Sequence, residues 1–142
     1  MPLRCEYFYV PYQGPSTNSI YAGKHWIKRK QDKDQARDVV ARTVSTELFQ
    51  LPVALQFVPV IGRGARARDL SNYTYAIKLI EDGLVASGVL KDDTNEYVQS
   101  IRIYGPVVDR GREPGFVLAV RELAQNGAEC PWISEAYERV FA

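Results

Sequence analysis

Cysteine and histidine are scarce in this sequence of 142 residues, in which Cys5, Cys130 and His25 are the only residues of these two types. Two thiols that lie far apart in the chain cannot form a disulfide framework, and they cannot by themselves supply the four ligands of a structural zinc site. A single histidine also excludes a metal site built on two imidazoles. The sequence therefore falls outside the disulfide-rich and histidine-based classes of protein.

Long apolar runs, repeats and low-complexity tracts are also missing. No stretch approaches 18 apolar residues, so the sequence predicts no transmembrane helix and no membrane partner. The N-terminus lacks a charged start followed by an apolar stretch and a cleavage site, so we expect no secretory signal and a cytoplasmic location. A hydrophobic content of 46% and a charged content of 25% are typical of a soluble globular protein. Residues 1–142 are accordingly predicted to form a single domain.

Charge is unevenly distributed along the chain, although the formal net charge is only +1. The residues up to Lys78 include twelve basic and six acidic side chains, a balance of +6. The residues from Leu79 onward include six basic and eleven acidic side chains, a balance of −5. An asymmetry of this size is common and can be without meaning. The alternative interpretation is a surface that faces a polyanion and adjoins an acidic site.

Two strands are predicted in the first half of the chain. Residues 5–10 (CEYFYV) are rich in aromatic and β-branched side chains, and we expect a strand there in which Cys5 is buried. Residues 53–61 are nearly continuous in apolar side chains. Because Pro59 lacks an amide donor, this second strand is predicted either to lie at an edge of the sheet or to bend at the proline.

Two helices are indicated by apolar side chains at a spacing of three or four residues. The first follows a charged stretch and is predicted to end at Pro52. Its apolar face consists of Ala36, Val39, Val40, Thr43, Val44 and Leu48. The second spans residues 72–86, with Ser71 or Asn72 as its cap and Gly88 as its stop. Its predicted buried face consists of Ala76, Ile77, Ile80 and Leu84.

The remaining segments complete a small mixed fold. Residues 62–68 (GRGARAR) are predicted to form a flexible basic loop, and residues 133–141 a short terminal helix. Residues 98–104 and 116–121 alternate as strands do, and the turn-forming residues 105–115 between them predict a hairpin with a long tip. The resulting order β-α-β-α-β-β predicts one α/β (α+β) domain in which two main helices pack on a small mixed sheet.

Acidic residues collect around the second predicted helix. Asp69 precedes this helix, Asp82 lies within it, and Asp92 and Asp93 follow it. Lys78 lies four residues before Asp82 and therefore on the same side of the helix. Mg²⁺ requires oxygen ligands and is usually held by a few carboxylates and water. Taken singly, these residues are equally typical of a helix cap, a surface ion pair and a solvated turn.

The order of these residues resembles that of the RusA family of Holliday-junction resolvases, which are common in phages and prophages. The matching residues are Asp69, Asn72, Lys78, Asp82-Gly83-Leu84 and Asp92-Asp93. Upstream, residues 15–21 and His25-Trp26 are similar to the proline, asparagine and tyrosine segment of the family. The resemblance covers residues 10–121 and leaves residues 122–142 as a C-terminal extension.

The resemblance implies a RusA-like fold and a homodimeric endonuclease that depends on Mg²⁺ or Mn²⁺. Such an enzyme resolves four-way DNA junctions by symmetric paired nicks in recombination and repair. It further implies that Asp69 and Asp93 hold the metal and take part in catalysis, while Lys78 stabilises the reacting phosphate. Asp82 and Asp92 take supporting roles at the metal. An isologous dimer suits a symmetric junction because it presents identical sites to equivalent strands.

One position departs from the family pattern, which has a second aspartate where this chain has Ser71. A hydroxyl is a poorer cation ligand than a carboxylate, so the change removes a formal charge from the implied site. Two alternatives to the resolvase therefore stay open. One is a junction-binding protein whose cleavage is weak or lost, and the other is a metal nuclease with broader specificity for branched DNA. A domain with a purely structural role is the fourth hypothesis.

Basic and aromatic side chains suggest how DNA would be bound. The predicted phosphate contacts are Lys24, Lys28, Arg29, Lys30, Arg63, Arg66 and Arg68, with Lys33 as a further candidate. Tyr21, Trp26 and Tyr73 can stack on bases that a branch point exposes. The alternative is that residues 24–33 form a solvated face and that the tyrosines are half-buried structural residues. For the arginines just before Asp69 we favour DNA contacts, and for the aromatic residues we favour the alternative.

Overall fold

The structure is a computed structural model, and it describes residues 3–23, 25–124 and 140. The helix predicted at residues 133–141 lies outside the described residues except for Val140. The elements in chain order are β1 (Cys5–Val10), α1 (Asn18–Tyr21), α2 (Trp26–Thr43), β2 (Val53–Ile61), α3 (Thr74–Ala86), β3 (Val98–Ile103), β4 (Val107–Val108) and β5 (Gly115–Glu122). A short 3₁₀ turn, Leu70–Tyr73, leads directly into α3. Among the described residues, no helix is long and apolar enough to cross a membrane.

The five strands form one mixed sheet, in the order β1-β5-β2-β3 with β4 also paired to β2. β5 lies antiparallel to both β1 and β2, whereas β3 and β4 lie parallel to β2. Together with α2 and α3, this sheet confirms the predicted small mixed α+β domain. The core includes the buried side chains of β2 and β5 and those of α2 and α3, together with buried residues of β1, β3 and the connecting segments.

The predicted hairpin between the last two long strands is wrong. β3 and β5 lie on opposite sides of β2, and neither pairs with the other. The connection at residues 105–115 therefore carries the chain from one side of β2 to the other, and it contains β4 on the way. The physical reason is the apolar character of β2, which is buried along most of its length and so needs a partner on each side.

Of the two alternatives predicted for Pro59, the edge position is wrong, because β2 lies in the interior of the sheet. β3 pairs with β2 as far as Phe57, and β4 pairs with it from Val60 onward. Pro59 thus falls where the partner changes from one strand to the next. A residue without an amide donor is tolerated there because no ladder hydrogen bond is required of it on that side.

The first long helix ends earlier than the sequence predicts. α2 stops at Thr43, so Leu48 is not on its apolar face and Pro52 does not end it. Residues 44–50 instead run as an irregular strap that Arg4 holds against β1. The Arg4 guanidinium donates to Thr46 Oγ1 at 2.6 Å and lies 3.7 Å from the ring centre of Phe49. These long-range contacts outweigh the local tendency to continue the helix.

The second long helix forms as predicted, with its four expected apolar residues buried and Gly88 in a left-handed conformation (φ +77°) after its end. Its start differs, because the 3₁₀ turn includes Ser71 and Asn72. Thr17 caps the helix instead, because its Oγ1 accepts a hydrogen bond of 3.1 Å from the Tyr75 amide.

The prediction that Cys5 is buried is wrong, since this residue is exposed on β1.

Helices α2 and α3 pack closely at Gly83. A Cβ atom at this position would lie 3.1 Å from Val40 Cγ2 and 3.6 Å from the Ala36 carbonyl oxygen. Such spacing leaves no room for a longer side chain. The absence of a side chain at Gly83 therefore sets the separation of the two helices.

Replacing Gly83 with Leu is expected to destabilise the fold by about 2 kcal/mol, because the added side chain would overpack the helix contact. Urea unfolding followed by circular dichroism measures this change. Ala86→Leu, at an exposed position of the same helix, is the matched control and should change the free energy of unfolding by less than about 0.5 kcal/mol. Equal effects of the two substitutions would contradict the importance of the Gly83 contact.

Candidate active site

Three carboxylates converge on the ammonium group of Lys78. Lys78 Nζ lies 3.2 Å from Glu81 Oε1 and 3.1 Å from Asp82 Oδ1, and it also donates to Asp93 Oδ2. Glu81 and Asp82 follow Lys78 at three and four residues along α3, a spacing that places all three on one side of the helix. Asp93 arrives from the segment after α3, once the chain has turned back at Gly88.

Glu81 is the member of this group that sequence reasoning missed. Its residue is only 4% exposed, whereas Asp82 and Asp93 are half-buried. Burial raises the pKa of Glu81, and the hydrogen bond from Lys78 acts in the opposite direction. The sequence does contain a signal for it, because Glu81 lies three residues after Lys78 and next to the buried Ile80.

The pKa values of Asp93 and Lys78 reflect the same ion pairs. The hydrogen bond from Lys78 lowers the pKa of Asp93, although partial burial opposes this shift. Partial burial alone would lower the pKa of Lys78, but hydrogen bonds to Asp93, Asp82 and Glu81 outweigh it and raise the pKa above its ordinary value. Lys78 is therefore a fully charged ammonium at neutral pH.

The donor set fits a hard divalent cation. One carboxylate oxygen from each of Glu81, Asp82 and Asp93 lies within 4.8 Å of the others. Oxygen ligands of this kind suit Mg²⁺ and Mn²⁺. Lys78 contacts all three carboxylates, so a cation bound by them would compete with the ammonium group for the same oxygen atoms.

The other two predicted ligands lie differently. Asp92 is exposed, and its Oδ1 accepts a hydrogen bond of 2.8 Å from the Asp93 amide, which orders the turn that delivers Asp93. Asp69 is exposed at the start of the 3₁₀ turn, where its carbonyl accepts from the Asn72 amide. Among the described residues, the acidic group around Lys78 does not include Asp69. Ser71 is likewise exposed in the turn.

An open cleft of about 220 Å³ adjoins the acidic group. Its charged lining residues are Lys33, Arg37, Asp82, Asp92 and Asp93. Lys33 and Arg37 are separated by four residues on α2, so they face the cleft from the helix opposite the carboxylates. Sequence reasoning missed Arg37 as a site residue because only the packing of α2 on α3 brings it here.

The predicted DNA contacts divide into exposed and engaged residues. Lys28, Arg29 and Lys30 are all exposed in the first turns of α2. Lys24 lies outside the described residues. The exposed cations of α2 are thus suitably placed for contacts with a polyanion.

The three predicted arginines of the loop at residues 62–68 have different surroundings. Arg66 is exposed, and Arg63 pairs with Glu113 at 3.3 Å. Arg68 turns inward, where its Nη2 donates to the Gly14 carbonyl at 2.8 Å and burial lowers the pKa of its guanidinium. Arg68 thus braces the loop before α1 instead of presenting its charge to solvent.

The predicted stacking residues also differ in exposure. Tyr73 is 3% exposed and contacts Phe116 edge-to-face, with ring centres 5.6 Å apart. It is a core residue, more deeply buried than the half-buried tyrosine that the structural alternative predicts. Trp26, in contrast, is 68% exposed.

No protein-family model matches this sequence, and no curated protein is significantly similar to it. The chemistry of the site therefore has to be judged from its own residues. The arrangement can neutralise a cation among three carboxylates and can present Lys78, Lys33 and Arg37 to an anion in the adjoining cleft.

Replacing Lys78 with Met is expected to destabilise the fold by roughly 2 kcal/mol at pH 7.5, because the buried Glu81 carboxylate loses its cation. Burial keeps the folded-state pKa of Glu81 above its unfolded value. Proton uptake by Glu81 therefore stabilises the folded variant relative to its unfolded state, and the loss of stability should shrink as the pH falls to 5. Urea unfolding at the two pH values measures the change in the free energy of unfolding.

The control for this variant is Arg42→Met, which removes a cation from the exposed pair that Arg42 forms with Asp38 at 3.2 Å. We expect it to change the free energy of unfolding by less than about 0.5 kcal/mol at either pH. A Lys78→Met loss that is the same at both pH values would show that Glu81 does not depend on this ammonium group.

Proposed function

We propose that this chain is a metal-dependent endonuclease that resolves four-way DNA junctions by paired nicks, as its resemblance to the RusA family implies. The observation that supports this function best is the convergence of Glu81, Asp82 and Asp93 on Lys78 beside a cleft with basic side chains. Carboxylates that can hold a metal ion and a lysine that can contact a phosphate are components suited to phosphodiester hydrolysis.

Each component has a separate role in the proposal. When bound, Mg²⁺ or Mn²⁺ supplies Lewis-acid chemistry that polarises the phosphodiester and lowers the pKa of a bound water. Glu81, Asp82 and Asp93 hold the ion, with Asp92 as a supporting residue that orders the turn. Lys78 donates to the reacting phosphate and offsets the charge that develops there. Lys33 and Arg37 bind neighbouring phosphates without regard to base sequence.

The role of Asp69 in metal binding and catalysis stays a proposal that depends on the resemblance alone. Its carboxylate is exposed and lies outside the acidic group. Glu81 provides a third carboxylate in the helix that already carries Lys78 and Asp82. The chain therefore does not depend on an aspartate at position 71 to reach three acidic ligands.

We further propose that the active form is a homodimer that binds branched DNA. A four-way junction has equivalent strands on opposite sides, and an isologous pair of subunits presents two identical sites to them. Basic residues of α2, which are exposed, and Arg66 would contribute contacts that depend strongly on salt concentration.

A junction-binding protein without cleavage is the second candidate. In the isolated chain Lys78 already pairs with all three carboxylates, and Ser71 supplies no further charge. A paired cluster of this kind is also what an ion-pair network with a structural role requires. The two candidates predict the same binding and differ in nicking, and a nuclease of broader specificity would differ in its choice of branched substrate.

The deciding measurement is incubation of the purified protein with a labelled four-way junction, with a flap and with a linear duplex of matched sequence, in Mg²⁺, Mn²⁺ or EDTA. Asp93→Asn is expected to abolish junction nicking, because a neutral amide replaces one of the three carboxylate ligands of the ion. Junction binding should stay the same or become tighter, because the variant repels phosphate less. Asp38→Asn, on the exposed side of α2, is the control and should nick at the parental rate.

Paired, metal-dependent nicks in the junction alone support the resolvase. Equal cleavage of the flap supports the broader nuclease, and binding without nicks supports the second candidate and makes Ser71→Asp the next variant. The absence of both binding and nicking would rule out the nucleic-acid function. Parental nicking by Asp93→Asn would place the metal site elsewhere.

Competition between Lys78 and a metal ion gives a separate prediction. Lys78→Ala is expected to bind Mn²⁺ several-fold more tightly than the parent, because the three carboxylates are no longer neutralised by the ammonium group. It should nonetheless fail to nick, because the phosphate loses its lysine. Titration calorimetry with Mn²⁺ measures the affinity, and weaker binding by the variant would contradict the proposed ligand set.

A further inference from the structure

Trp26 is a large aromatic residue on the outside of the molecule, at the start of α2. It is 68% exposed, and the neighbouring Ile27 is exposed as well. His25 caps the helix by accepting a hydrogen bond of 3.2 Å from the Ile27 amide at its Nδ1. The His25 ring lies beside Trp26, with centres 5.7 Å apart and planes tilted by 30°. The residue thus presents its indole from a capped helix end.

Trp26 and three cations form a stripe along α2 that leads to the cleft. The members of the stripe are Trp26, Lys30, Lys33 and Arg37, which are spaced by four, three and four residues. At about 100° per residue these positions fall on one side of the helix. Lys33 and Arg37 line the cleft beside the acidic group, and Lys30 lies between the cleft and the indole. No acidic residue occupies a position of the stripe.

The length of the stripe can be compared with the spacing of phosphates in DNA. Trp26 and Lys33 are separated by seven residues, which corresponds to about 10 Å along a helix axis. This length corresponds to about three phosphates in one strand of a duplex, which follow each other at about 3.4 Å along the axis, and to fewer nucleotides of an unpaired strand, which extends further. A strand whose phosphates bind at Lys33 and Arg37 can therefore bring a base only a few nucleotides away to the indole.

We propose that Trp26 is a stacking site for an unpaired base of DNA whose phosphates follow Lys30, Lys33 and Arg37 to the acidic cleft. The proposal rests on the proposed DNA function and adds the recognition of unpaired nucleotides to it. An unpaired base offers a π-face to an exposed indole, whereas a base inside a duplex is already stacked on its neighbours. Tyr73 cannot take this role because it is buried.

The charge of the surroundings favours DNA over a lipid surface. Lys28, Arg29 and Lys30 follow Trp26 and Ile27 directly and are all exposed. A helix that lies in a membrane interface requires a broad apolar face. Trp26 and Ile27 are the only large apolar side chains that α2 exposes, and its buried apolar residues, Ala36 and Val40, pack against the core.

The first test uses Trp132→Phe, which leaves Trp26 as the only tryptophan in the chain. The probes are a 20-nucleotide oligothymidylate, a fully paired duplex of similar charge, and vesicles of phosphatidylserine. We expect the oligothymidylate to quench the fluorescence of Trp26 and the duplex to quench it much less. Quenching by the vesicles alone, or equal quenching by the single strand and the duplex, would overturn the proposal.

The second test measures affinity and leaves Trp132 in place. Trp26→Ala is expected to weaken binding of the oligothymidylate about tenfold, with a change of less than about twofold for the duplex. Trp26→Phe should retain most of the affinity, because a smaller ring still stacks. Tyr104→Ala, at another exposed aromatic residue, is the control and should leave both affinities unchanged.

The outcomes separate this proposal from the proposed nuclease. Unchanged single-strand affinity in Trp26→Ala, in a chain whose parent nicks the junction, would overturn the stacking site and leave the nuclease intact. A tenfold loss in a chain that never nicks would support the stacking site and count against the nuclease. Loss of the same size for duplex and single strand would overturn the stacking site, because stacking on an unpaired base requires discrimination.

Discussion

The close contact between α2 and α3 at Gly83 determines where the charged groups of the candidate site lie. Because glycine has no side chain, Val40 and the backbone of α2 can approach α3 closely. This approach places Lys33 and Arg37 of α2 across a cleft from the carboxylates that α3 and the following turn supply. The packing of α2 against α3 in the core therefore positions both the basic and the acidic side chains that line the cleft.

Lys78 gives the acidic wall its electrostatic balance. One ammonium group faces three carboxylates, one of them buried, so the group keeps an excess of negative charge even in the folded chain. Removing the lysine would leave Glu81 in the interior without a cation. A divalent ion can neutralise the same excess of negative charge. The contacts of Lys78 with the three carboxylates therefore stabilise the fold without neutralising the group completely.

Some of the fold and site could be predicted because the signals are local. The buried face of α3 follows from a spacing of three and four residues, and the pairing of Lys78 with Asp82 follows from the same helical geometry. The resemblance added Asp93, which lies 15 residues from Lys78. Glu81 was missed because charge alone says nothing of burial. The prediction of a hairpin was wrong because an alternating pattern identifies a strand such as β5 without identifying the strand that pairs with it.

The sequence by itself determined the helix that carries Lys78, the strands that flank it, and the exposed cations of α2, because each depends on residues that are neighbours in the chain. Only the tertiary structure decided that β2 lies between β3 and β5, that Arg68 turns inward to Gly14 while Trp26 stays in solvent, and that Arg37 faces the carboxylates. These features depend on which distant segments pack together. Strand pairing and helix packing are properties of the whole chain, and no local pattern specifies them.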